Sequence, residues 1–140
     1  MPSRFALVLV VPALAALTAC DPAYSVDVEI TVADTLADEY DEQTRGVLVL
    51  DVDGQARALW MICGAEAQAI TARTNFGDMG CPGSVALTAF IAPAEPDDPR
   101  PCGELDETGW DGELLPEWAQ ISATVSDPCD RAGAVELALD

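Results

Sequence analysis

The chain has 140 residues, with 25 Asp and Glu against six Arg, no lysine and no histidine, and a net charge of −19. Direct nucleic-acid binding is excluded, because neutralising phosphates takes clustered Lys and Arg. Triads of the Ser-His-Asp type, Cys-His pairs and lysine Schiff bases are excluded within this chain by the missing side chains.

Residues 1–20 open with one basic side chain, Arg4. An apolar run of 15 residues follows, Phe5–Ala19, broken by Pro12 and closed by Cys20. That run is short of the roughly 20 residues a membrane-spanning helix needs. A basic start before a short apolar centre is the pattern of a cleavable export signal. The tetrapeptide Leu17-Thr18-Ala19-Cys20, standing where such a signal is cut, resembles the lipobox of bacterial lipoproteins. The resemblance implies a signal peptide over 1–19, a thioether-linked diacylglycerol on Cys20, and an acyl chain such as palmitate on the new amino terminus. Two or more chains anchor stably, so the expected location is the bacterial cell envelope, facing the periplasm or the exterior. Asp21 implies inner-membrane retention by the rule of enteric lipoproteins, a rule that is not general among bacteria. Residues 20–24 form a short linker that reaches at most roughly 18 Å, and residues 25–140 are expected to form one domain.

With Arg4 removed, 25 carboxylates face five arginines, a mature charge of about −20. Anionic headgroups repel such a domain. A basic protein partner or divalent cations would relieve the repulsion, while high charge alone also serves solubility.

The pattern along 25–140 is β throughout. Val26, Val28, Ile30 and Val32 alternate with Asp27, Glu29 and Thr31, which predicts a strand with one buried face. Val47–Leu50 is an unbroken apolar run, and Asp53-Gly54 predicts a type I′ hairpin turn into Ala58–Ile62. A weaker strand is expected over 67–74, and clear ones over 85–91, 121–125 and 135–139. The predicted fold is all-β, a two-sheet antiparallel sandwich of six or seven strands with one long loop, similar in general look to immunoglobulin-like and transthyretin-like modules. Trp60 precedes the first candidate bridge cysteine, so the Cys-Trp-Cys order of true immunoglobulin domains is absent.

Cys63, Cys81, Cys102 and Cys129 are an even set without C-x-x-C spacing, which reads as two disulfides in an exported domain. Alternating strand directions favour Cys63–Cys102 and Cys81–Cys129. The sequence-local pairing, Cys63–Cys81 with Cys102–Cys129, stays open.

Two connections are acidic. Residues 35–45 carry Asp38-Glu39-Tyr40-Asp41-Glu42, and residues 93–117 read as one long loop, rich in proline and then in Asp and Glu, with room for a strand or helical turn near 113–118. Calcium takes six to eight oxygen ligands. Asp106, Asp111 and Glu113 are the candidate ligands in the long loop. Asp51-x-Asp53-Gly54 resembles part of an EF-hand loop, but Val49 and Trp60 stand where its first aspartate and bidentate glutamate belong. Trp110 and Trp118 flank the acidic stretch. They serve either to anchor a partner or to cover the core.

These features predict a non-catalytic, lipid-anchored binding or scaffolding module of the envelope, whose partners are the membrane and an unidentified protein that charge favours as basic. It needs no cofactor in this reading. A calcium-dependent binding module is the alternative, and a small carboxylate-based hydrolase comes third.

Overall fold

The computed structural model describes residues 25–64, 67–76, 80–130 and 133–140. Cys20 and the expected signal and linker lie outside them. Among the described residues the chain runs β1 (Ser25–Val32), a single helical turn α1 (Asp34–Ala37), β2 (Gly46–Val52), β3 (Gln55–Ile62), β4 (Ala69–Asn75), β5 (Ser84–Pro93), β6 (Gly103–Gly109), β7 (Gln120–Ser126), a 3-10 turn (Pro128–Asp130) and β8 (Val135–Leu139). Three strands form one sheet in the order β4-β1-β8, and five form the other in the order β6-β3-β2-β5-β7.

The two-sheet all-β sandwich predicted from the alternating pattern is the observed architecture. Val26, Val28, Ile30 and Val32 point inward from β1, as do Val135, Leu137 and Leu139 from β8. They meet Leu48, Leu50, Leu87, Ala89 and Ile91 of the larger sheet. Asp53 and Gly54 take φ of 51° and 87°, the positive values a type I′ turn requires. All pairs are antiparallel except β1 with β8, where the first and last described strands run parallel.

The larger sheet buries both faces at its centre. Leu48 and Leu50 face the other sheet, while Val47 and Val49 point outward into a second cluster with Ala58, Met61, Phe90, Ala92 and Leu105. The unbroken run Val47–Leu50 follows from this, because a strand covered on both sides has no polar face to alternate with. A register shift at Leu48/Val49, opposite Ala58–Trp60, is accommodated as a bulge.

The structure corrects the reading of 93–117 as one long loop. Gly103–Gly109 is β6, paired antiparallel with β3 from Met61↔Gly103 to Arg57↔Gly109, so there are eight strands among the described residues. Its sequence, GELDETG, offers Leu105 as its one large apolar side chain, which an edge strand needs and an alternating pattern does not reveal. Over 113–118 no strand forms, but a hydrogen-bonded turn does, with Trp118 N–H donating to the carbonyl of Leu115 at 3.2 Å. Within 35–45, α1 buries Leu36 and Ala37.

Cys63 joins Cys102 and Cys81 joins Cys129, the pairing that strand direction favoured. The first ties the end of β3 to the start of β6, and the second ties the approach to β5 to the turn after β7. Closing 39 and 48 residues stabilises each by about 4 kcal/mol in the chain-entropy account. Replacing Cys63 and Cys102 by serine is expected to cost about 2–5 kcal/mol in denaturant unfolding. A Gly46→Ala Cβ would lie 2.7 Å from both Ile91 Cγ2 and Tyr40 Cε1. That substitution is expected to cost about 1–3 kcal/mol by overpacking, measured the same way.

Candidate functional site

Strand direction sorts the acidic loops between two ends. Ser25 stands opposite Asn75 at the end where β1 begins. The β2–β3 turn lies there too, since Asp53 and Gln55 share a cleft with Thr74, Asn75 and Phe76. The opposite end holds α1, the 38–45 loop, the proline-rich 94–102 segment and the Cys63–Cys102 bridge.

At that far end one arginine joins the two acidic loops. Arg45 donates to the carbonyl of Arg100 at 2.7 Å and to the carbonyl of Asp98. Ala94 N–H donates to the carbonyl of Arg45 at 2.8 Å. Arg100 in turn grips the Asp98 carboxylate through Nη2 at 2.6 Å and Nε at 3.0 Å. The Asp98 side chain is 10% exposed. The Arg100 guanidinium holds its pKa at about 2, against the opposing effect of burial and with help from the Arg100 N–H and the charges of Arg100 and Arg45. The result is a surface on which Asp38, Glu39, Asp41, Glu42, Glu95 and Asp97 are all exposed. Asp41 Oδ1 accepts from the N–H groups of Gln43 and Thr44, both at 2.7 Å, and from the Thr44 hydroxyl at 3.0 Å. Those bonds lower its pKa. Tyr40 packs over Gly46, and desolvation, with the nearby Glu39 charge, pushes its phenol up.

The carboxylates singled out as calcium ligands do not converge. Among the described residues, no three His, Cys, Asp or Glu side chains gather closely enough to hold a metal ion. Asp106 stands on edge strand β6, whereas Asp111 and Glu113 follow Trp110 on the segment that crosses the sheet; all three are exposed. The Asp51–Gly54 segment is a turn whose carboxylates are taken. Asp51 Oδ1 accepts from Gly54 N–H at 2.9 Å, and Asp53 Oδ1 accepts from Ala86 N–H at 2.8 Å.

Trp110 and Trp118 are brought together, as a cover. Residues 110–119 run from β6 at one edge of the large sheet to β7 at the other, across its outer face. Trp110 meets Phe90 edge-on at 5.0 Å, Trp118 stacks on Phe90 at 6.2 Å, and the two indoles lie 6.2 Å apart. Leu114 completes the contact with the outer cluster. Both indoles are half-buried, so their first role is to seal Phe90 and Val49 from water. Neither the arginine clamp nor the crossover is visible in periodicity, because both depend on residues distant in sequence.

No known protein family, curated protein or solved structure matches this chain.

Asp98 titrates below the ordinary carboxylate value near 3.9, so the unfolded chain binds its proton first. Its stabilisation is complete above about pH 4 and is lost as pH falls toward 2. Urea unfolding of wild type and Asp98→Asn from pH 6 to pH 2 is expected to show a gap that narrows through that window. A Cβ on Gly112 would overlap the Trp110 indole. Gly112→Ala should therefore displace Trp110, shift tryptophan emission to longer wavelength, and cost about 1–3 kcal/mol.

Proposed function

We propose that this chain is a non-catalytic, lipid-anchored module of the bacterial envelope that binds a protein partner through its acidic far end. The anchor is read from Leu17-Thr18-Ala19-Cys20. Contact through the far end is supported by one observation above the others. Arg45 unites the 38–45 and 94–100 loops into a single carboxylate-rich surface at the end opposite Ser25. Eight β1 residues at about 3.3 Å each separate that surface from the start of β1. An anchor on Cys20 would thus hold the β2–β3 turn and the Cys81–Cys129 bridge toward the membrane and carry the acidic loops away from it. Anionic lipid would be kept at a distance, and a basic protein surface would be drawn in by the long-range field.

The calcium alternative draws less support. At the far end Asp41, and at the opposite end Asp51 and Asp53, accept hydrogen bonds from backbone amides. Those bonds fix the loops without a cation.

Two measurements test the proposal in a bacterial host. Full-length protein should incorporate an alkyne fatty acid and fractionate with membranes, and Cys20→Ser should do neither; a Cys20→Ser chain that stayed labelled and membrane-bound would end the lipoprotein reading. Replacing Asp38, Glu39 and Glu42 by their amides should leave the fold intact and abolish photocrosslinks formed from a probe at Glu95. Unchanged crosslinks would move the contact surface elsewhere.

A further inference from the structure

The smaller sheet ends in β4, whose outer edge pairs with no other strand among the described residues. Val32 N–H donates to the carbonyl of Gln68 at 3.2 Å. With the register Ile30↔Ile70 and Val28↔Ala72, this fixes which backbone groups of β4 face β1. Ile70, Ala72 and Thr74 spend theirs on β1, so the N–H and C=O groups of Ala69, Thr71, Arg73 and Asn75 point the other way. Arg57 confirms that direction, since its Nη2 donates to the carbonyl of Arg73 from across the gap at 3.3 Å.

Natural sandwiches protect such an edge with proline, a bulge, a charged inward residue or a covering segment. β4 has no proline, and its pairing with β1 runs without a register shift. Its one charge, Arg73, sits on the outer face and is held by Asp27 at 2.8 Å. Residues 67–76 contain no carboxylate in a chain that has 25. The other edges are built differently. β6 carries Glu104 and Asp106, β8 is five residues long with Glu136, and β7 lies against β8.

Beside this edge there is room for a strand. Across a cleft from β4 stand residues of β3 and β6 of the larger sheet. The cleft, of about 480 Å³, is lined by Trp60, Glu104 and Leu105 on one wall and by Ile70, Thr71 and Arg73 on the other. A second cleft of about 540 Å³ shares Arg57 and Asn75 with it and continues toward Phe76. Trp60 is half-buried on this surface, an apolar floor that one added side chain would cover.

We propose that β4 accepts an extended basic segment of a partner protein by strand addition, in the cleft between β4 and β6. Backbone bonds to Ala69, Thr71 and Asn75 supply affinity, and alternate side chains of the segment meet Trp60 and Glu104. Arg57 and Arg73 line the cleft with Glu104, but Arg73 is held by Asp27 and Arg57 donates to the Arg73 carbonyl, so the net charge of −19 favours basic over acidic segments. Glu104 and Leu105 of β6 stand across the cleft from β4, so antiparallel pairing with β4 of a second copy would crowd β6 against β6, and a single segment is the occupant. The inference rests on reading the chain as a binding module, but on neither its anchor nor its acidic far end.

The test uses full-length protein in detergent with both disulfides closed. The probe is a synthetic peptide of alternating valine and lysine, as long as the seven residues of β4. Amide exchange should slow at Ala69, Thr71, Arg73 and Asn75 when it binds. N-methylation of every second peptide amide keeps the charge, removes strand pairing, and should weaken binding at least about tenfold, or about 1.4 kcal/mol. Thr71→Pro removes an edge N–H that β1 does not use and should weaken binding as much. Should that variant not fold, the N-methylated peptide still decides. Amide substitutions at Asp38, Glu39 and Glu42 should leave peptide binding within about twofold, which separates this site from the far-end surface. The proposal is overturned by no binding, by equal binding of the N-methylated peptide (charge attraction alone), or by β4 amides already protected in a dimer without peptide.

Discussion

Burial of Val47–Leu50 on both faces of the larger sheet is the constraint from which the other features follow. A strand with two apolar faces needs two covers. The three-stranded sheet supplies one, through Val28, Ile30 and Leu137. The other has to come from a connection, and residues 110–119 provide it by laying Trp110, Leu114 and Trp118 over Phe90 and Val49. That duty fixes the rest. β6 has to stand at one edge and β7 at the other, so that the chain between them crosses the sheet. Gly112 has to lack a side chain because its backbone lies against the Trp110 ring. The two disulfides then tie the edge strands at opposite ends, Cys63–Cys102 at β6 and Cys81–Cys129 at β7.

Charge is organised around very few cations. Arg45 and Arg100 hold the far-end loops together, Arg73 pairs with Asp27, and Arg57 spans from β3 to the Arg73 carbonyl. Each of these arginines is engaged within the domain. Arg45 and Arg100 are taken up by carbonyls and by Asp98, so the exposed carboxylates at 38–42 and 95–97 project a negative field. The 67–76 segment lies apart from that pattern, with one arginine and no acid. An acidic end suited to long-range attraction and a strand edge without carboxylates, suited to backbone pairing, are physically distinct surfaces.

Much of the fold was legible in the sequence because strands announce themselves by period. β1, β7 and β8 alternate cleanly, Asp53-Gly54 marks its hairpin turn, and the four cysteines pair as strand direction suggested. β6 was hidden because an edge strand held by β3 on one side, a disulfide at its start and Leu105 in the outer cluster needs no alternation. The candidate site was legible only as composition. Acidic clusters can be counted, but whether Asp106, Asp111 and Glu113 meet depends on where the crossover turns, and they do not meet. Trp110 and Trp118 were visible as a pair near the acidic stretch, while their shared contact with Phe90 required the register of β5. The Arg45 clamp spans more than 50 residues and leaves no local trace.

In the proposed function the acidity acts as a surface field for a macromolecular partner and not as a set of calcium ligands. Thermal unfolding of the oxidised protein in matched calcium and magnesium chloride, over a sodium chloride background, tests this most directly. Screening raises the midpoint through charge alone, whereas a folded-state ligand adds its own mass-action shift. Equal midpoints are expected in the two divalent salts. A midpoint several degrees higher in calcium than in magnesium would contradict that reading and place a calcium site among the acidic loops.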